Sequence, residues 1–534
     1  MKVKSVWVSE YKNLKKIDLK FNSNLITLLV GKNGMGKSNL IEILGLLFKN
    51  FDLLNTEEEF VYWEYGTERK RFQYIINYEC YDNDILIECN ETNFILKIKP
   101  VGSSEEVPFE ILPFKEFITN RKIKYIPKYI IGYYSGENKR IGSILKEHEH
   151  QQKDILKNFH RIKKEEPDSG LRRIFFTENH HSQLFLLTLI LFRKHLDFTD
   201  KIEDLFTNYL DIESIENFSI LFNNPAWDYS NIDGKDKGMD FLISNIGDKE
   251  EIKNPFWNLK GKIDKLLTRL YNHQIDNSSE PIYYDNEGED HRKFVKEFLL
   301  FNKIKFDIFI EEVVKYYEHP IDFFDALESA TIIDVLKSIT FKVKKNNIED
   351  LIEFDQLSEG EQQLLTVLGL LLVAGTDECL FLLDEPDTHL NPDWQRDYIE
   401  LLKKFNTNGY ASHIFVATHS PLIVQSSIDS EILLHRKEGN QVVIDTESHE
   451  IKNWRIDQVL QSEYFGLSNV RPTSLDGFMK IREEILSKEI VTKEDIEYLK
   501  KIDKEEGLLP SGETLNDFKT IRLLRDMVSK IPKE

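Results

Sequence analysis

The sequence predicts an α/β fold: a mixed-sheet lobe and a parallel α/β lobe forming one head, with a helical insert and a helical C-terminal tail. Three observations carry this. An apolar run at 25–30 ends in a glycine-rich turn that opens a helix, as a strand buried on both faces does when it feeds a phosphate-type loop. Short runs of alternating residues between 60 and 101, separated by polar turns, read as an antiparallel meander. From 336 to about 436 helical and strand patterns alternate, as in a parallel α/β layer. These divide the chain into a first head segment (1–139), a mainly helical insert (140–335), a second head segment (336–453) and the tail (454–534).

Each element follows in order. Val3, Val6, Val8 and then Ile17, Leu19 and Phe21 alternate as strands do, and Asn39-Leu40-Ile41-Glu42-Ile43-Leu44 starts a helix. The meander takes in strands at 60–63, 72–78, 85–87 and 94–98, and another buried strand spans 129–134. In the insert, Ile263, Leu266, Leu267 and Leu270 place one apolar stripe on a helix, and no heptad run persists long enough for a coiled coil. The polar stretch 228–253 reads as a loop, and 339–343 resumes the strand pattern. Tail helices are expected to begin near Ser474, Thr492 and Glu513, with Thr492 and Asp495 spaced as a capping box.

Composition narrows the class. A formal charge of −22 over 534 residues gives no general attraction for polyanions, although a local basic groove is compatible with it. The three cysteines, Cys80, Cys89 and Cys379, form no CxxC pair, which argues against a disulfide framework or structural zinc and suits a reducing cytoplasm. The apolar runs 184–192 and 364–374 fall short of the ~20 residues a membrane span needs, and the N-terminus shows no signal core. The expectation is a cytoplasmic chain without membrane association.

Four motifs carry chemistry. Gly31-Lys32-Asn33-Gly34-Met35-Gly36-Lys37-Ser38 fits G-x-x-x-x-G-K-[ST], in which backbone N–H groups and a helix N-terminus cradle phosphate. Lys37 would reach the β- and γ-phosphates, and the Ser38 hydroxyl would ligate Mg²⁺. Phe381-Leu382-Leu383-Asp384-Glu385-Pro386 ends an apolar strand in two carboxylates, one for the Mg²⁺ shell and one to polarise the attacking water. Leu357-Ser358-Glu359-Gly360-Glu361-Gln362 opens an apolar helix with Ser358 and Glu361 at capping-box spacing; an anion-binding helix start and a plain N-cap both fit it. Ile414-Phe415-Val416-Ala417-Thr418-His419 closes an apolar strand on a histidine, a γ-phosphate sensor in this company.

This order of motifs, with Asp387-Thr388-His389-Leu390-Asn391-Pro392 between the last two, resembles the ABC-type ATPase heads of the RecF, SMC and OLD-nuclease group. The resemblance implies an ATPase using ATP and Mg²⁺. The signature helix of one copy would cap the γ-phosphate held by the P-loop of another, giving a head-to-tail homodimer or a higher even-numbered homo-oligomer. Residue by residue, it implies nucleotide contacts from Asn33, Gly34, Gly36, Lys37, Ser38, Asn39, Ser358, Gly360, Glu361 and Asp387. Ser38 and Asp384 would hold the metal, and Glu385 and His419 would be catalytic. A Q-loop glutamine expected after 129–134 is replaced by Ser135-Gly136-Glu137-Asn138, where Asn138 is the candidate substitute.

Within the group, transporter ATPases lack so long an insert, SMC proteins fill it with coiled coil, and OLD nucleases append a Toprim domain whose acidic strand motifs are not evident in the tail. The segments Phe354-Asp355-Gln356-Leu357-Ser358-Glu359-Gly360-Glu361 and Asp387-Thr388-His389-Leu390-Asn391-Pro392-Asp393-Trp394 are similar to those of the ATPase subunit of Septu-type anti-phage systems. That similarity implies an ATPase regulating a separate HNH-type nuclease subunit. The alternative is a RecF-like repair clamp on duplex DNA.

Overall fold

A computed structural model gives the architecture. It describes residues 1–505 apart from 23–24, 66–67, 91–92, 105, 137–139, 163–170, 179, 195–198, 224–255, 258, 273–280, 287–293, 347, 376–377, 407–411, 429, 440, 447–450, 452–453, 468–469, 471–472, 474–476, 478–479, 482–483, 486–487 and 489–491. The chain divides into two compact units, 1–459 and 460–534. Both head segments and the insert therefore belong to one unit, and the tail starts a few residues later than the sequence suggested.

Two sheets build the head. The first is antiparallel, in the order β2 (Leu14–Lys20), β1 (Lys2–Tyr11), β6 (Tyr74–Cys80), β7 (Asn83–Cys89), β8 (Phe94–Pro100), β9 (Glu110–Ile111). The second runs β11 (Ile174–Thr177), β10 (Tyr129–Tyr134), β17 (Cys379–Asp384), β18 (His413–Ala417), β3 (Ile26–Gly31), β19 (Glu431–Glu438), β20 (Gln441–Asp445), parallel except for β20. Every residue of β3, β17 and β18 is buried, the pattern of strands covered on both faces. The P-loop helix Lys37–Leu53 joins the sheets: Phe48 and Phe51 pack on Tyr78 of the antiparallel sheet, and Gly45 brings the helix against Leu382 of β17. The carboxyl ends of β3, β10, β17 and β18 consequently share one edge, where ligands of open α/β sheets bind.

The signature helix Glu359–Ala374 is apolar nearly all round because helices enclose it. A Cβ on its Gly369 would lie 2.8 Å from Phe185 Cβ of helix His181–Leu191, and Phe185 stacks on Phe324 at 4.6 Å.

Several expectations need correction. The insert has more helix than strand among the described residues, but it also builds a sheet that was not foreseen. Its order is β13 (Pro281–Asn286), β14 (Phe294–Lys305), β12 (Ile212–Asn223), β15 (Leu336–Lys345), β16 (Ile352–Glu353). The strand placed at 339–343 thus completes the insert sheet rather than the parallel layer, and the boundary at 335/336 cuts through it. In the meander, Glu57–Val61 is a helical turn whose Phe60 stacks on Phe94 at 4.5 Å. Only Tyr62–Tyr65 is extended there, as β4 paired with β5 (Glu68–Arg71).

Helix Gly261–Asn272 buries Ile263, Leu266, Leu267 and Leu270 as expected. The loop read at 228–253 lies outside the described residues, as do Ser474 and the helix placed near Glu513. Lys493–Glu505 is helical, and Thr492 and Asp495 form both bonds of the capping box. No described helix is long and apolar enough to cross a membrane.

Candidate nucleotide site

The P-loop leaves β3 through Gly31 at φ 144°, where a Cβ would sit 2.2 Å from the carbonyl oxygen of His435. No other residue fits that approach. Gly36 has φ 83° and precedes the helix with no side-chain cap, so the first N–H groups point into the loop without an internal acceptor. A Cβ there would meet Leu14 Cδ2 at 2.6 Å. Gly34 is also left-handed, and Asn33 is exposed at the loop tip. The turn between β1 and β2 braces the loop: Asn13 Nδ2 donates to the Gly34 carbonyl at 2.8 Å.

Lys37 Nζ donates to the Gly31 carbonyl at 2.8 Å and to His419 Nε2 at 2.7 Å. Burial lowers its pKa to about 8, against the opposing pull of Glu385 and Asp384. His419 is lowered to about 4 by burial and by the Lys37 charge, so at neutral pH it is an uncharged acceptor. Its Nε2 is 3.5 Å from Glu385 Oε1. Asp384 is buried at the end of β17 and raised to about 6 by burial, with the Ser38 hydroxyl hydrogen-bonded to it. Its Oδ1 has no hydrogen-bond partner among the described residues.

Glu385 adopts φ 51°, a left-handed conformation that costs a non-glycine residue roughly 1–2 kcal/mol. Its N–H donates to the Ala417 carbonyl at 2.8 Å. Its own carbonyl accepts from Ser135 Oγ at 2.6 Å and Thr388 Oγ1 at 3.0 Å. Ser135, the residue after β10, thereby stands where a Q-loop was sought. Asn138 lies outside the described residues.

Three residues assigned to the nucleotide are engaged within the chain. Asp387 is 5% exposed and accepts from Thr418 Oγ1 at 2.9 Å, so its carboxylate faces inward and fixes the histidine loop. Asn39 donates to Asn13 Oδ1 at 2.5 Å and accepts from Arg140 Nη2 at 2.6 Å. Glu361 closes the capping box on Ser358 and pairs with Lys345. A carboxylate so held orients the helix start.

Ser358 is exposed at that helix start, beside an open concavity of about 500 Å³ lined by Glu359, Gly360, His389, Asn391 and Trp394. Gly360 is required because a Cβ would lie 2.6 Å from the His389 carbonyl oxygen. The His389 N–H donates to Gln363 Oε1 at 2.9 Å, and His389 Nδ1 is 3.0 Å from Glu359. The signature is thus fastened to the turn after Glu385. Among the described residues, no hydrogen bond or ion pair joins Ser358 to the P-loop, Asp384, Glu385 or His419.

The motifs did not expose the second layer. Glu42, a buried residue of the P-loop helix, accepts from Tyr11 Oη at 2.9 Å and pairs with Lys12 and with Arg140 at 2.8 Å. Apart from Glu42, which is embedded in the helix, these residues lie far from the loop in sequence. A carboxylate within the apolar run Leu40 to Phe48 was the available signal.

The site fits a nucleotide triphosphate with Mg²⁺. Glycines stand where side chains would fill the cradle, the helix start is uncapped, and a buried carboxylate oxygen beside Ser38 lacks a partner. Ser38 and Asp384 are the residues that would hold the metal.

Over 81% of the chain the sequence is 23% identical to “Retron Vc95 probable ATPase” of Vibrio cholerae serotype O1 biovar El Tor, covering 73% of that protein. It is 27% identical to “Septu protein PtuA” of Bacillus mycoides over 22% of this chain, spanning only 18% of that relative's length. The solved SMC head domain from Thermotoga maritima is a loose likeness, with a TM-score of 0.32 and 11% identity over 84% of this chain and all of that one. The family model “AAA domain, putative AbiEii toxin, Type IV TA system” matches residues 135–425, more than half of the chain, from Ser135 through both carboxylates to the short helix after His419. The chain belongs to that family and is an ABC-type ATPase of the RecF/SMC/OLD group that resembles PtuA.

Proposed function

We propose that this chain hydrolyses ATP in a site completed by the signature helix of a second copy, and that the resulting dimer regulates a separate HNH-type nuclease in antiviral defence. One observation carries the shared site. The P-loop, Asp384, Glu385 and His419 converge, while Ser358 stands exposed with no bond to any of them. A P-loop alone leaves one side of the γ-phosphate open to water, and a second helix N-terminus closes it.

Bound Mg²⁺ would supply charge neutralisation for the β- and γ-phosphate oxygens. Lys37 turns from the Gly31 carbonyl and His419 onto the phosphates. His419, released from the ammonium, takes the tautomer that carries the proton on Nε2 and donates it to a γ-phosphate oxygen. Glu385 accepts a proton from the attacking water as the β–γ phosphoanhydride bond breaks, giving ADP and phosphate.

The nuclease role rests on the likeness to PtuA and the retron ATPase. It is preferred to a clamp on duplex DNA because a charge of −22 offers no general attraction for that polyanion. The enzyme claim is tested by steady-state phosphate release from wild type and Glu385→Gln. Wild type is expected to exceed the variant by at least a hundredfold, and equal rates would sink the claim. Co-purification with the HNH nuclease, whose DNA cleavage this chain should suppress, tests the partner.

A further inference from the structure

Away from the nucleotide site, the carboxyl end of β11 meets the last helix of the insert in a cluster of nitrogen and oxygen donors. His180 and His181 follow β11, and Glu328 comes from helix Pro320–Ile332. One donor atom from each lies within 4.8 Å of the others. The side chains of His181 and Glu328 are 2% exposed, and that of His180 is 44% exposed. His181 Nε2 lies 2.9 Å from Glu328 Oε2. The other Glu328 oxygen accepts from Arg172 Nη2 at 2.9 Å, and Arg172 Nη1 donates to Glu149 at 3.1 Å. Glu178 flanks the group, with Oε2 3.7 Å from His180 Nδ1.

We propose that His180, His181 and Glu328 bind a divalent transition-metal ion of the Zn²⁺ class. Two imidazoles and one carboxylate are a donor set for Zn²⁺, whereas Mg²⁺ and Ca²⁺ select oxygen. The outer shell is also built. A ligating histidine normally donates its second N–H to a carbonyl or carboxylate, and His181 Nδ1 lies 3.1 Å from the Glu178 carbonyl oxygen. Without the ion, the Glu178 N–H donates to Nδ1 at 2.8 Å and Nε2–H points at Glu328. With the ion, Nε2 becomes a ligand and Nδ1–H turns to the Glu178 carbonyl, so the Glu178 N–H gives up its bond to Nδ1.

Arg172 fixes the non-ligating oxygen of Glu328. Around it, Glu149, Glu178 and Glu328 face the Arg172 guanidinium and the Lys146 ammonium, 3.9 Å from Glu178, and a divalent cation offsets the remaining negative charge. Metal–ligand bonds of 2.0–2.1 Å place tetrahedral donors about 3.3 Å apart. The half-exposed His180 ring, tilted 36° on His181, is the one with room to close that gap.

The ion would staple the insert's last helix to the start of His181–Leu191, the helix whose Phe185 packs against Gly369 of the signature helix. The test uses the full chain, stripped by chelator and free of nucleotide, titrated with Zn²⁺ by calorimetry and with Co²⁺ by visible absorption. One ion per chain is expected, with the ligand-field bands of a low-coordinate Co²⁺ site. His180→Ala removes the exposed ligand and should weaken Zn²⁺ at least tenfold. Ser38→Ala, in the nucleotide site, should leave stoichiometry and affinity unchanged. Wild type that binds no Zn²⁺, or His180→Ala that binds it as wild type does, would overturn the proposal. Neither outcome bears on ATP hydrolysis.

Discussion

Replacing Ser135 by alanine isolates one part of the hydrolytic machinery. The Glu385 backbone is held left-handed at φ 51°, and its carbonyl takes hydrogen bonds from Ser135 at 2.6 Å and Thr388 at 3.0 Å. Each such bond contributes about 0.5–1.5 kcal/mol, comparable with the roughly 1–2 kcal/mol cost of that conformation. Ser135→Ala removes one of the two restraints. If the loss falls entirely on the fraction of sites with Glu385 in place, kcat drops roughly two- to twelvefold. Ser135 bonds neither the P-loop nor Lys37, so ATP affinity should not move. Adding Thr388→Val should deepen the loss. Coupled-assay kcat together with binding of a fluorescent nucleotide separates these terms. A Ser135→Ala protein with wild-type kcat, or one whose entire loss lies in ATP affinity, refutes the reasoning.

Three further outcomes follow from the geometry. Gly360→Ala forces a Cβ to 2.6 Å from the His389 carbonyl oxygen, so hydrolysis should fall sharply while ATP binding to the separate chain persists, as a nucleotide-binding titration can show. Gly369→Ala brings a Cβ to 2.8 Å from Phe185 Cβ; overpacking, partly offset by better helix propensity, should destabilise the chain by about 1–2 kcal/mol, read from the urea midpoint. Lys37 has its pKa lowered to about 8 by burial, and phosphate recognition needs the ammonium form. Above pH 8 the dissociation constant for ATP should rise about tenfold per unit, and a flat profile from pH 7 to 10 contradicts this. The sign for stability is opposite: the buried ammonium opposes folding below pH 8, and that penalty is relieved as pH rises toward 10.5.

The nucleotide cradle was legible in the sequence because its chemistry is local. Glycines, Lys37, Asp384, Glu385 and His419 each sit at the end of an apolar run, and the sheet brings those ends together. The positioning layer was not legible. Asn13, Arg140 and Ser135 carry common side chains, and their meaning comes from partners 21 to 250 residues away. Asp387, Asn39 and Glu361, which the resemblance gives as nucleotide contacts, also carry bonds inside the chain that no motif shows. The insert sheet escaped for a related reason. The apolar residues Ile212, Ile215, Phe218 and Phe222 of β12 are spaced three or four apart, as on a helix, and it is a strand because β14 and β15 pair with it from far along the chain.

The shared active site is the central claim, and sedimentation velocity of Glu385→Gln with saturating ATP and Mg²⁺ tests it most directly. Hydrolysis is blocked in that variant, so the closed state should accumulate as a dimer. The same protein carrying Ser358→Arg should bind ATP and remain a monomer, because Ser358 lies outside its own chain's nucleotide site. A Glu385→Gln protein that stays monomeric at all accessible concentrations, or a dimer that survives Ser358→Arg, would contradict the account.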